Sequence, residues 1–345
     1  NNVGVADSYI SGDGYVGGVV GYNIGTVQNC SNAGAVSGND YVGGVVGDNR
    51  KIVENCSNAG TVSGTDRVGG VVGYVRGTVQ NCNNTGAVSG NMYVGGVVGY
   101  IYGNSTDNST VKNCYNTGKV IGTTDGERVG GVVGYNYDYS TVKNCYNTGV
   151  VSSGKRVGGV VGYNRVGSVL NCYNAGTVSG IYGDAGSVIG YNDYGTEKDC
   201  YYLEGSARLA IGFDWGNVTG VTIKPVAEFA SGEVASLLNG DQEENVWGQT
   251  IGTDAYPVLG GEKVYRGYES CGDTEPKYTN DENISEEKIE HSGNITYTVN
   301  ETDNTKHDIS YSCCGMVVIE EHVSEKEETT RTATASGIIK VNEAV

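Results

Sequence analysis

Three histidines, three prolines, two phenylalanines and two tryptophans are all the chain carries in 345 residues. Each shortage excludes something. The histidines, His291, His307 and His322, all lie near the C-terminal end, so imidazole acid–base chemistry is missing from everything before them. No HExxH, GxSxG or Walker-type loop occurs. With so little proline and no G-x-y period, a collagen helix is excluded. The few phenylalanines and leucines cannot furnish a large conventional core. No apolar run approaches the roughly 20 residues of a membrane helix, so no membrane insertion is expected. There is no signal peptide or sorting motif at either end. The opening NNVGVADSYISG matches the tail of a repeat whose front half is missing, so the natural protein is expected to extend upstream.

Charge is also one-sided. Residues 1–203 hold 12 basic and 14 acidic residues; the remainder holds 10 and 26, which leaves −2 and −16 of the total −18. An acidic second half repels nucleic acid, which is not an expected partner.

In place of these the chain has 57 glycines and 26 tyrosines. The hexapeptide VGGVVG occurs six times unchanged, at residues 16–21, 42–47, 68–73, 94–99, 129–134 and 157–162, with a worn copy at 186–190. Each is followed by a block such as TVQNCSNAG or TVKNCYNTG and then by a short AVSG or TVSG. Valine-rich runs of four to six residues punctuated by Gly and Asn read as short strands and turns. No helical period of 3.6 runs through them. One unit cannot bury its valines alone, so neighbours must stack. The expected fold class is all-β: a parallel β-solenoid of about seven coils over residues 1–203. Right-handed coiling is expected from the crossover rule, and a length on the order of 35 Å from strand spacing.

The repeat phases assign roles. Glycines are expected to supply positive φ at corners and to let the wall approach its neighbours. Asn29, Asn55, Asn81, Asn113, Asn144 and Asn171 share one phase, and Asn32, Asn58, Asn84, Asn116, Asn147 and Asn174 another. Stacked asparagines can form amide ladders. Cys30, Cys56, Cys82, Cys114, Cys145, Cys172 and Cys200 occur one per unit. An odd row of this kind reads as free buried thiols in an interior column, not a disulfide framework or metal site.

The alternation of VGGVVG with NCSNAG, NCNNTG and NCYNTG resembles the GLUG-motif repeat family across residues 1–203. The stretch EFASGEVASLLNGDQEENVWGQTIGTDAYPVL, at 228–259, is similar to the segment that often follows such repeats in large surface proteins of gut Firmicutes. The resemblance implies an extracellular, wall-associated setting in bacterial cell-surface and adhesin-like proteins, or in the non-catalytic regions of IgA-type metallopeptidases. It assigns no ligand.

Beyond the repeats, residues 204–260 are expected to form a C-terminal cap containing one helix near 225–239, with Pro near its start and Gly after its end. Trp215 and Trp247 are expected to pack there. Residues 261–293 read as a polar linker leading into a module. Alternation over 294–345 predicts a small antiparallel β-sandwich, Ig-like in kind. Cys271 is expected either to pair with Cys313 or Cys314 or to stay free; the spacing fits no zinc site.

The acids of the solenoid, Asp13, Asp40, Asp66, Asp107 and Asp125, are expected to be scattered among turns without forming a catalytic pair. No enzyme activity, cofactor or metal site is therefore expected. Recognition is expected where the repeat is broken. The insertions at 101–109 and 136–140 fall at matching positions in adjacent coils and should form one protrusion. Its candidate ligand residues are Tyr102, Asp107, Tyr137 and Tyr139, and a host glycan or protein is the candidate partner. Two tyrosine rows accompany it: Tyr22, Tyr74, Tyr100, Tyr135, Tyr163 and Tyr191, and then Tyr115, Tyr146, Tyr173 and Tyr201. The expected function is an extracellular spacer and adhesive region of a bacterial surface protein. The alternative is a non-catalytic repeat region of a secreted metallopeptidase or glycan-degrading enzyme.

Overall fold

A computed structural model describes residues 1–106, 108–216, 220–271, 273–289, 292–300, 302, 306–311, 317–321 and 331–336. The repeats form a parallel β-solenoid of about eight turns. Pairing is in register, so each residue type meets itself on the next coil: Val42 opposite Val68, Gly43 opposite Gly69. Three sheets form the walls. The first has nine strands, from Gly4–Val5 through Tyr115–Asn116 to Val221–Lys224. The second has seven, from Thr26–Gln28 to Thr196–Lys198, and the third nineteen.

Alternation along each strand turns valine inward. The main interior column joins Val27, Val45, Val46 and Cys30 to their counterparts in later coils. A second column holds Val16, Val36, Val42 and theirs. The seven repeat cysteines are buried and free. Their backbone amides and thiols bond between coils; the Cys56 N–H, for example, donates to Cys82 Sγ at 3.4 Å. The ladder from Asn32 to Asn174 runs without a gap, each Nδ2 donating to the next Oδ1 at 2.8 Å. Because all of these amides are buried, leaving one unpaired would cost about 1–3 kcal/mol.

The corners differ from expectation. Before Gly183 no described glycine has positive φ. The left-handed corners are occupied by Asn29, Asn55 and their column, and by Tyr15, Tyr41, Arg67, Tyr93, Arg128 and Arg156. Asparagine tolerates that conformation through its short polar side chain, whereas Tyr and Arg do so at a cost. The VGG glycines serve close approach instead. A Cβ on Gly43 would lie 1.9 Å from Val46 O, and one on Gly44 would lie 2.1 Å from Gly70 O of the next coil.

The solenoid also runs past residue 203. Leu209–Asp214 stacks on Ala185–Asp193, with Ile211 opposite Ile189 and Phe213 opposite Tyr191. Val221–Lys224 stacks on Cys200–Leu203. A further coil thus occupies the start of the segment expected to be cap.

The cap itself has two helices where one was expected: α1 (Val226–Ala230) and α2 (Glu233–Asn239). Gly232 separates them at φ 91°, and a Cβ there would approach Ile251 Cδ1 to 2.6 Å. The cap packs on the side of the rod. Phe229, Val234, Leu238 and Trp247 close over Tyr146, Tyr173 and Tyr201 in one buried cluster.

Residues 261–293 are not simply a linker. Tyr265–Gly267 and Lys277–Thr279 form an antiparallel pair, and Tyr268 bridges Ser285. Cys271 is disulfide-bonded; Cys313 and Cys314 lie outside the described residues. Strands Ser292–Val299, Lys306–Tyr311, Val317–Glu321 and Arg331–Ser336 form one four-stranded antiparallel sheet. The described residues of this module supply that single sheet. Among the described residues no helix is long and apolar enough to cross a membrane.

Candidate functional site

The two insertions meet as the spacing implied. Strand Val98–Tyr102 lies on Val133–Tyr137 with Tyr100 opposite Tyr135 and Tyr102 opposite Tyr137. Alternation sends Ile101 and Asn136, both fully buried, into the core and the four tyrosines to the outer face. The Tyr102 and Tyr137 rings stack at 5.4 Å with 11° between planes. The Gly103 N–H donates to Tyr137 O at 3.1 Å. Ser109 Oγ donates to Tyr102 O at 2.5 Å, and Ser140 Oγ to Tyr137 O at 2.6 Å. These bonds close each loop at its base. Thr106 N–H and Oγ1 both bond Asn104 Oδ1, which folds the first loop on itself.

Of the four candidate residues, Tyr102 and Tyr137 are therefore together. Tyr139 stands on the second loop at φ 45° and 55 % exposed. Asp107 lies outside the described residues.

Two arginines that sequence reasoning passed over complete the site. Arg76 lies over Tyr102 at 5.8 Å and Arg165 over Tyr137 at 5.0 Å. Arg165 also donates from Nη1 to the Tyr137 hydroxyl at 3.2 Å. A guanidinium thus caps each outer ring face, and the pair presents edges and hydroxyls. Tyr139 is the ring with an open face. The signal was available: Arg76 and Arg165 follow the VGY segment at the phase of Tyr102 and Tyr137.

This patch continues into the first tyrosine row. Tyr74–Tyr100, Tyr100–Tyr135, Tyr135–Tyr163 and Tyr163–Tyr191 lie 4.8–5.4 Å apart, and Tyr137 touches Tyr100 and Tyr135. Arginines flank this row: Arg67 lies over Tyr100, Arg128 over Tyr135 and Tyr163, and Arg156 over Tyr163 and Tyr191. Burial raises the Tyr135 phenol to about 12, against the opposing pull of Arg165. At one rung Asp48 replaces the tyrosine. The Arg50 guanidinium fills the gap, 2.7 Å from Asp48 and 4.9 Å from the Tyr74 ring centre. Burial raises the Asp48 carboxyl above its ordinary value, with Arg50 opposing. At the far end Trp215 is 56 % exposed and donates to the Tyr191 hydroxyl at 2.7 Å; it is not in the cap.

Acids also come closer together than expected. Asp40 and Asp66 lie in register on adjacent coils, both bound by Arg67 at 2.7 and 2.9 Å. Glu127 is held in the same way by Arg128, Lys155 and Arg156. A further buried asparagine column was missed: Asn23 to Asn49, and Asn136 to Asn164 to Asn192. Val75 and Ile101 interrupt it, which hid its period.

Comparison with known families places the repeats. The model described as "The GLUG motif" matches residues 90–121, 125–152 and 153–179. These coils are GLUG motifs. The matched GLUG coils include both inserted loops. A crystal structure of a "putative immunoglobulin A1 protease" from Bacteroides ovatus is similar at 18 % identity over 75 % of each chain, with a TM-score of 0.47. No curated protein matches the chain.

Proposed function

We propose that this chain is an extracellular segment of a bacterial surface or secreted protein, acting as a rigid spacer that presents a recognition patch to a host glycan or protein. The observation that carries the reading is the convergence of two insertions on the tyrosine face, with Tyr102 stacked on Tyr137 and Tyr139 left open. In-register stacking makes the rod's length proportional to its coil number. The patch offers an exposed ring, two hydroxyl-bearing edges and a guanidinium at each end, a mixture suited to polar recognition. The segment is read as non-catalytic: Asp40, Asp66 and Glu127 are engaged by arginines or lysine, and bound acids of this kind favour a structural role.

A glycan and mucin array with the full chain tests the reading. Binding is expected, and Tyr139→Ala combined with deletion of residues 104–108 should abolish it without lowering the unfolding midpoint. Binding that survives the combined change, or no binding by the intact chain, would count against the patch.

A further inference from the structure

The Asn29–Asn171 column behaves unlike the inner ladder. Asn81 Nδ2 donates to Asn55 Oδ1 and Asn113 Nδ2 to Asn81 Oδ1, each at 3.2 Å. There the ladder stops. The cap draws the next two amides away: Asn144 Nδ2 donates to Gln242 Oε1 at 3.0 Å, and Asn171 Nδ2 to Leu238 O at 2.9 Å. Two acceptors are stranded as a result. Asn113 Oδ1 and Asn144 Oδ1 are buried without a hydrogen-bond partner, and Asn144 is only 5 % exposed. A buried acceptor left in that state is costly.

The residues Asn113 and Asn144 both belong to the lining of one cleft of about 580 Å³ between the rod and the cap loop, with their Oδ1 atoms just beneath its surface; the volume is within the usual range of small-ligand sites. Lys112 and Lys143 stand beside them on the rod wall, and neither has a carboxylate partner among the described residues. Asp241, Glu243 and Glu244 form the opposite lip, and Leu170 and Val246 supply a small apolar flank.

We infer that this cleft binds a neutral saccharide. The stranded oxygens require donors, and the lysines require acceptors. A hydroxyl is both. An anionic ligand would meet the acidic lip, and a cationic one the lysines. A polyhydroxylated ring without net charge satisfies both walls, and its C–H face suits Leu170 and Val246. The inference does not depend on the loop patch of the proposed function, because the cleft lies on the cap-facing corner formed by different strands.

The test is an amide NMR titration of the full chain with four classes of probe: neutral trisaccharides of glucose, galactose and N-acetylglucosamine, a galacturonate trisaccharide, a lysine–glycine–aspartate tripeptide, and sodium sulfate. At least one neutral trisaccharide should shift the amides of residues 112–114, 143–145 and 241–246. Lys112→Met with Lys143→Met should weaken that binding about tenfold or more, the usual effect of losing charged hydrogen-bond donors. Asn144→Gly, which keeps the left-handed corner, should weaken it as well, whereas deleting residues 104–108 should not. The inference is overturned if no neutral saccharide shifts these amides, if only a charged probe does, or if binding is unchanged in both the lysine and asparagine variants.

Discussion

The row Tyr74, Tyr100, Tyr135, Tyr163 and the row Tyr115, Tyr146, Tyr173, Tyr201 arise by the same in-register stacking, yet their surroundings differ. The first lies on the outer wall, flanked by Arg67, Arg128 and Arg156, and carries the inserted loops; its ends are open, while Tyr135 at its centre is only 7 % exposed. The second lies beneath Phe229, Leu238 and Trp247. In the second row Tyr173 is fully buried, its hydroxyl donating to Pro257 O at 2.6 Å. A tyrosine ladder is thus no site in itself. What covers its ring faces decides its role: arginines and neighbouring rings leave edges for contact, whereas a cap makes the row core.

Breaking the covered row should have the largest effect. Trp247→Ala removes a fully buried ring from the cap cluster and should cost about 3–5 kcal/mol in urea unfolding, with the near-UV signal of the cap lost first. Breaking the open row at its charged rung comes next. Arg50→Ala leaves Asp48, whose side chain is wholly buried, without its cation and should cost about 3 kcal/mol. Asp48→Asn in that background should recover much of the loss, as double-mutant unfolding would show.

A finer contrast comes from removing single hydroxyls. Tyr173→Phe should cost about 1 kcal/mol, whereas Tyr22→Phe, at the exposed end of the open row, should stay within about 0.5 kcal/mol. Alkaline pH gives an effect shared by both rows. Burial holds Tyr135 and Tyr201 near 12, above the ordinary 10.0. Between those values the folded state keeps protons that the unfolded state has lost, so stability should fall as pH rises from 10 to 12. Tyr201→Phe should flatten that fall in a series of thermal midpoints.

Much of this was legible in the sequence because the solenoid turns period into position. The cysteine and inner asparagine columns could be read from phase alone, and so could the meeting of the two insertions. Features set by contact between columns were less visible. Tyr41 and Arg67 at left-handed corners carry no local signal for that conformation. The break at Gly232 was hidden by the apolar stripe on either side of it. The cap's docking face did leave a mark: the residue after the repeat cysteine is Ser31, Ser57 and Asn83 in the early coils and Tyr115, Tyr146, Tyr173 and Tyr201 in the later ones. That change from small polar to aromatic is where the cap lies down. Of the proposed loop patch, the meeting of Tyr102 and Tyr137 was legible, but the flanking Arg76 and Arg165 were not, because their placement depends on stacking across four coils.

The most direct test of this division is tyrosine nitration of the native chain, mapped by peptide mass spectrometry. Tyr22 and Tyr139, both more than half exposed, should be modified readily, while Tyr146 and Tyr173 should react only after unfolding or in Trp247→Ala. Equal nitration of Tyr173 and Tyr22 in the intact protein would contradict a covered row and an open one.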